Sequence, residues 1–90
     1  MIEVTDKAKE FLEDVLVRSV NDPELTLRMV VQPEGRLRLV PDRSKKADQV
    51  VEKDGRAILL VGQELAPILD RLTLDVKETN RGSKLFMSQQ

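Results

Sequence analysis

Ninety residues carrying 15 basic and 16 acidic side chains, for a formal net charge of −1, describe one small domain, expected to span 1–90. Such a balance gives no overall pull toward nucleic acid, an anionic membrane or a polyanion. There is no cysteine, histidine, tyrosine or tryptophan, which removes disulfides, thiolate and imidazole ligands, histidine-activated nucleophiles and most base-stacking surfaces.

Ile2-Glu3-Val4 alternates as a short strand does, and Thr5 stands where a helix N-cap belongs, with Asp6 adding negative charge to the first turn. Ala8, Phe11, Leu12, Val15, Leu16 and Ser19 then recur at helical spacing, which predicts one apolar stripe on a helix from Asp6 to Ser19. Asn21-Asp22-Pro23 ends it. Val17, on the opposite face, reads as an isolated surface apolar residue.

Leu25–Pro41, LTLRMVVQPEGRLRLVP, reads as a complete β-hairpin. Pro33 presets φ for a type I turn and Gly35 can take the left-handed conformation that closes a three-residue loop, so Gln32 is expected opposite Arg36. Counting outward sets Val31 against Leu37, Met29 against Leu39 and Leu27 against Pro41. One face is then wholly apolar, and the other carries Thr26, Arg28, Val30, Arg36, Arg38 and Val40. A slip of one residue would drive arginines into the core, so the register is firmly specified.

Asp42–Asp48 is a polar stretch without periodicity and reads as a loop. Gln49–Lys53 and Arg56–Val61 flank Asp54-Gly55, a strong type I′ hairpin signal. Ala57–Val61 is apolar at every position, which predicts a strand covered on both faces, by the first helix on one of them. Gln63–Arg71 is expected to form a short helix with Leu65, Ile68, Leu69 and Leu72 on one side, Pro67 being tolerated only in its first turn. Leu72–Glu78 and Ser83–Ser88 follow as strands around Asn80-Arg81-Gly82, with Leu85 and Met87 pointing away from Phe86. The order β-α-ββ-ββ-α-ββ argues for an α+β domain of small mixed, mostly antiparallel sheet with one long and one short helix.

Several local strings resemble the A-type iron-sulfur carriers, the IscA-like or HesB-like family. These are Val4-Thr5-Asp6-Lys7-Ala8 leading into the first helix, Leu25–Val31 running into a glycine-containing turn, and Asp54-Gly55 before an apolar strand. The longest is Leu65-Ala66-Pro67-Ile68-Leu69-Asp70-Arg71-Leu72-Thr73-Leu74-Asp75. The resemblance implies the family's fold, a link to iron-sulfur cluster assembly, protein partners and assembly into dimers or tetramers. In that family a Gly-Cys-Ser-Gly-like motif and a Cys-Gly-Cys tail hold iron or a cluster. Here Gln32-Pro33-Glu34-Gly35 takes the first motif's place, and Ser88-Gln89-Gln90 closes the sequence without such a tail. Clusters are held by cysteine thiolates, with histidine in some centres, so no metal or cofactor site is expected.

The remaining candidate is cationic. Arg28, Arg36, Arg38, Arg43, Lys45 and Lys46 stand against Glu34 and Asp42, a local surplus of four that could meet a protein partner, or alternatively a small anion or nucleic acid. Its plainer reading is the solvated outer face of a half-buried sheet, with arginine stems covering Val30 and Val40. No glycine-rich phosphate loop occurs, and the pair Asp70 and Asp75 reads as structural, so the chain is not expected to be an enzyme. Edge-strand self-association near Phe86 is a third reading, beside simple packing of Phe86 in the core. No apolar run reaches the length of a membrane span and MIEVTDKAKE lacks a secretory pattern, so the expected compartment is the cytoplasm.

Overall fold

The computed structural model describes residues 1–89, which form β1 (Glu3–Val4), α1 (Asp6–Ser19), β2 (Thr26–Val31), β3 (Leu37–Asp42), β4 (Gln49–Lys53), β5 (Arg56–Val61), α2 (Ala66–Leu69), β6 (Leu72–Thr79) and β7 (Gly82–Gln89). Three antiparallel hairpins supply six of these strands. Their register follows from turn chemistry. In the first, the Gln32 N–H donates to the Arg36 carbonyl at 2.9 Å and the Gly35 N–H to the Gln32 carbonyl at 2.8 Å, and Gly35 has a φ of 86°. Leu27 therefore faces Pro41, Met29 faces Leu39 and Val31 faces Leu37, as the three-residue loop requires. In the second, Asp54 and Gly55 have φ values of 53° and 80°, the two positive values of a type I′ turn, and Lys53 pairs with Arg56.

These hairpins divide between two sheets. One has the strand order β3-β2-β5-β4, with β2 and β5 parallel; the other runs β1-β6-β7, with β1 parallel to β6. Helix α1 lies against both, through β5, β2 and β6. Its start is tied down by Thr5, whose side-chain oxygen accepts from the Ala8 N–H at 3.1 Å while its hydroxyl donates to Asp75 Oδ1 at 2.8 Å. A helix cap and a strand carboxylate thus share one hydroxyl, which fixes the entry angle of the helix onto β6.

The core gathers Leu12 and Leu16 of α1, Leu27 and Met29 of β2, Ile58, Leu59 and Val61 of β5, Leu69 and Leu74. A β-bulge at Ile58 of β5, opposite the step from Val51 to Glu52 on β4, lets the consecutive residues Ile58 and Leu59 both join it. Leu60 is also fully buried but lies outside that cluster, on the opposite face of the sheet. The expectation of a strand covered on both faces holds.

Two readings need correction. Helix α2 occupies Ala66–Leu69 rather than Gln63–Arg71, because Gly62 to Leu65 form a turn closed by the Ala66 N–H on the Gly62 carbonyl at 2.9 Å, Pro67 falls in the first turn of the helix, and the chain enters β6 at Leu72. Ile68 is 70% exposed as a result, so the inward stripe is Leu65, Ala66 and Leu69 without it. Ser19, placed on the α1 stripe by its spacing, is exposed at the last turn, whereas Phe11 and Val15 are half-buried.

Candidate functional site

The polar face of the first hairpin carries Arg28, Arg36 and Arg38 on one side, as the register demands. Their situations differ. Arg28, opposite Val40 on β3 and beside Leu60 on β5, is a half-buried guanidinium with both flanks occupied. Its Nε donates to Asp42 Oδ2 at 2.6 Å, Nη1 and Nη2 donate to Asp48 Oδ1 and Oδ2 at 2.9 and 2.6 Å, and Nη2 reaches the Arg43 carbonyl at 3.2 Å. The side chain of Asp48 is only 3% exposed. Its Oδ2 also accepts the Lys45 N–H at 2.7 Å, while Asp42 Oδ1 accepts the Arg43 N–H at 2.7 Å.

This arrangement takes Arg28 out of the cationic patch, since Asp42 and Asp48 already occupy it. A bidentate pair and a second carboxylate consume most of the donors of Arg28, and the knot straps the Asp42–Asp48 segment to Arg28, the β2 neighbour of Leu60. Arg43 is engaged as well, its Nη1 lying 2.7 Å from Glu24 Oε2. Lys45 and Lys46 sit exposed on the strapped loop, and Arg36, just before β3, and Arg38, on it, stand exposed with no ion pair among the described residues.

The hydrogen bonds from Arg28 hold the Asp48 carboxyl below its ordinary value against the opposing effect of burial, with the Lys45 N–H assisting. Asp42 is lowered by the same guanidinium and by the Arg43 N–H. Groups whose folded pKa is depressed contribute stability above their unfolded pKa, about 3.9, and lose it as pH falls through the folded value. Stability is therefore expected to hold from pH 8 down to about pH 5 and to fall steeply below about pH 4. Urea midpoints measured across that range on the wild type and Asp48→Asn check this, the acid limb of the variant being the shallower.

The sheets leave a cleft of about 980 Å³ between β3 and β7, floored by Phe11 of α1 with Leu37, Leu39, Leu85 and Met87 and rimmed by Arg36, Arg38 and Lys84. Leu85 and Met87 point away from Phe86, as expected; they are half-buried against the core, whereas Phe86 lies outside that core with the Lys77 ammonium 5.5 Å above its ring. Nothing resembling a catalytic dyad joins Asp70 and Asp75: Asp70 pairs with the Met1 amino group, and Asp75 accepts from Thr5 and from the Val76 N–H at 2.8 Å.

An iron-sulfur cluster does not fit this donor set. The turn after β2 offers Gln32, Pro33 and Glu34, the sequence holds no cysteine or histidine, and among the described residues no three acidic side chains converge on a cation. Among the same residues no helix is long and apolar enough to cross a membrane.

Two hairpin-built sheets around one capped helix have the fold of the A-type iron-sulfur carriers, here in a sequence without cysteine. The solved structure of IscA with a 2Fe-2S cluster superposes with a TM-score of 0.66 at 21% identity, covering 99% of this chain and 85% of that one. SufA of Escherichia coli, described as involved in the biosynthesis of iron-sulfur clusters, gives 0.70 at 18% identity over 98% and 84% of the two chains. A solution structure of a protein from Aquifex aeolicus gives 0.68 at 24% identity over 99% and 91%. The chain has the fold of IscA and SufA. No protein-family profile and no curated protein matches the sequence.

Proposed function

We propose that this chain is a non-enzymatic, HesB-like protein of the cytoplasm, related to iron-sulfur cluster assembly, that acts by binding another protein and does not carry the cluster itself. One observation carries the reading: the IscA and SufA architecture extends over nearly the whole chain, yet every residue type that could grip the cargo is missing from the sequence. Without residues to hold a cluster, what this fold still offers is a surface, and binding a protein is a use of it that needs no cofactor. The runner-up, anion or nucleic-acid binding through the basic face of the Leu25–Pro41 hairpin, draws less support because Arg28 and Arg43 are already paired with carboxylates.

The expected outcome of anaerobic purification with iron and sulfide supplied is a colourless protein without visible absorbance. Affinity isolation from the cells that make it should bring down a specific partner of the cluster-assembly machinery. Stoichiometric iron with sulfide would overturn the first half of the reading, and recovery of the chain alone would overturn the second. Retention on a polyanion column that falls steeply with salt would transfer support to the runner-up.

A further inference from the structure

We infer that the cleft between β3 and β7 binds an extended acidic segment of a partner protein as an added β-strand, an inference that rests on the protein-binding reading above and names the chemistry of the partner. β3 is the outer strand of the four-stranded sheet and β7 the outer strand of the three-stranded one, so the cleft runs between two unpaired sheet edges. Such edges are templates for an incoming strand. On β3 the direction of the free groups can be worked out. The Gln32–Arg36 pair is hydrogen-bonded, and bonded and non-bonded pairs alternate along an antiparallel ladder. Arg36, Arg38 and Val40 therefore spend their backbone groups on β2, whereas Leu37 and Leu39 present theirs outward. Pro41 has no N–H and ends the usable edge.

Charge decides what kind of strand fits. Arg36, Arg38 and Lys84 rim the cleft, no carboxylate lines it, and none of the three enters an ion pair among the described residues. Lys84 also stands directly opposite Lys77 across β6 and β7, a like-charge pair that an incoming carboxylate relieves. A second copy of this chain meeting it through the same cleft would bring the same cations against these, so a symmetric pairing there is disfavoured. The floor is apolar, Leu37, Leu39, Leu85 and Met87 lying beneath the cationic rim. Since side chains alternate across a strand, the occupant is a segment with apolar residues at every second position and Asp or Glu between them. A volume near 980 Å³ is at the upper end of ligand clefts, about 300–1,000 Å³, and leaves room for such a segment.

The test titrates the full chain with a fluorescent peptide of alternating Glu and Val, about six residues long, followed by anisotropy. A Lys-Val peptide, a Glu-Val peptide N-methylated at alternate residues, and a sulfated polysaccharide serve as comparisons, and sedimentation without ligand gives the oligomeric state. Saturable binding of the Glu-Val peptide is expected, weakened about tenfold or more by Arg36→Glu with Arg38→Glu, and lost on N-methylation, which leaves the protein untouched. Absence of binding, equal binding of the N-methylated peptide, equal displacement by the polysaccharide, or a dimer that must dissociate before the peptide binds would each overturn the inference. If the peptide fails while a partner still co-purifies with the Arg36→Glu, Arg38→Glu variant, strand addition falls and the protein-binding reading stands. If the wild type isolates no partner, that broader reading falls with it.

Discussion

Arg28→Ala is expected to lower the unfolding free energy by about 3 kcal/mol, at the low end for breaking a buried ion pair, and so to remove a large share of the stability of a small domain, about 5–10 kcal/mol. The reason is what remains behind. Asp48, with 3% of its side chain exposed, would be left desolvated without its bidentate partner, near the carboxylate of Asp42 that Arg28 also holds. The Lys45 N–H alone would then answer Asp48 Oδ2. Arg28→Lys should recover only part of the loss, since one ammonium cannot reproduce the fork that spans both oxygens of Asp48. Replacing both partners by apolar residues, Arg28→Met with Asp48→Leu, is expected to cost less than Arg28→Ala, because no buried charge is left unpaired. Urea titrations of the four proteins measure this, and a loss under about 0.5 kcal/mol for Arg28→Ala, the level of an ordinary surface change, would show that the strap contributes nothing.

Leu59→Ala and Leu60→Ala should each destabilise by about 3 kcal/mol, the lower part of the range for leucine truncation in a close-packed interior, but for different neighbours. Leu59 belongs to the cluster shared with α1, whereas Leu60, equally inaccessible, points to the opposite face beside Arg28 on β2 and Val50 on β4. Residues in contact do not add. The combination of Leu60→Ala with Arg28→Ala is therefore expected to fall short of the sum of the single effects by about 0.5 kcal/mol or more, while Leu59→Ala with Arg28→Ala lies closer to additive. Equal coupling for both leucines would mean that the outer face is not a packing unit of its own.

The parts of this fold that were legible in the sequence are those governed by local chemistry. Pro33 and Gly35 set the loop that aligns β2 with β3, Asp54 and Gly55 set the next turn, and Thr5 marks the start of α1. What the sequence withheld depends on contacts between distant segments. The bulge that admits Ile58 beside Leu59, the division into two sheets and the cleft between β3 and β7 all follow from tertiary packing. The Arg28 knot falls between these cases. Extending the same hairpin count by one residue beyond Pro41 places Asp42 opposite Thr26 and diagonal to Arg28, within reach of a long side chain, so that half of the pairing was readable. Asp48 was not, because nothing in Asp42–Asp48 announces that the loop folds back. The short α2 has a plainer cause: the spacing of Ile68 matched a helical stripe, but the turn from Gly62 to Leu65 and the start of β6 at Leu72 leave room for one turn of helix.

The parallel join of β1 with β6 sets an order of assembly. Each hairpin closes over a turn of a few residues and forms on a timescale of about 1–10 μs, whereas Glu3 and Thr73, which become neighbours, are 70 positions apart along the chain. Bringing such remote segments together costs loop entropy before any contact rewards it, so β1 docks after the hairpins. It therefore waits unpaired on the ribosome at least until β6 has been made. A strand of two residues, Glu3 and Val4, presents too little edge during that wait to recruit a neighbouring nascent chain.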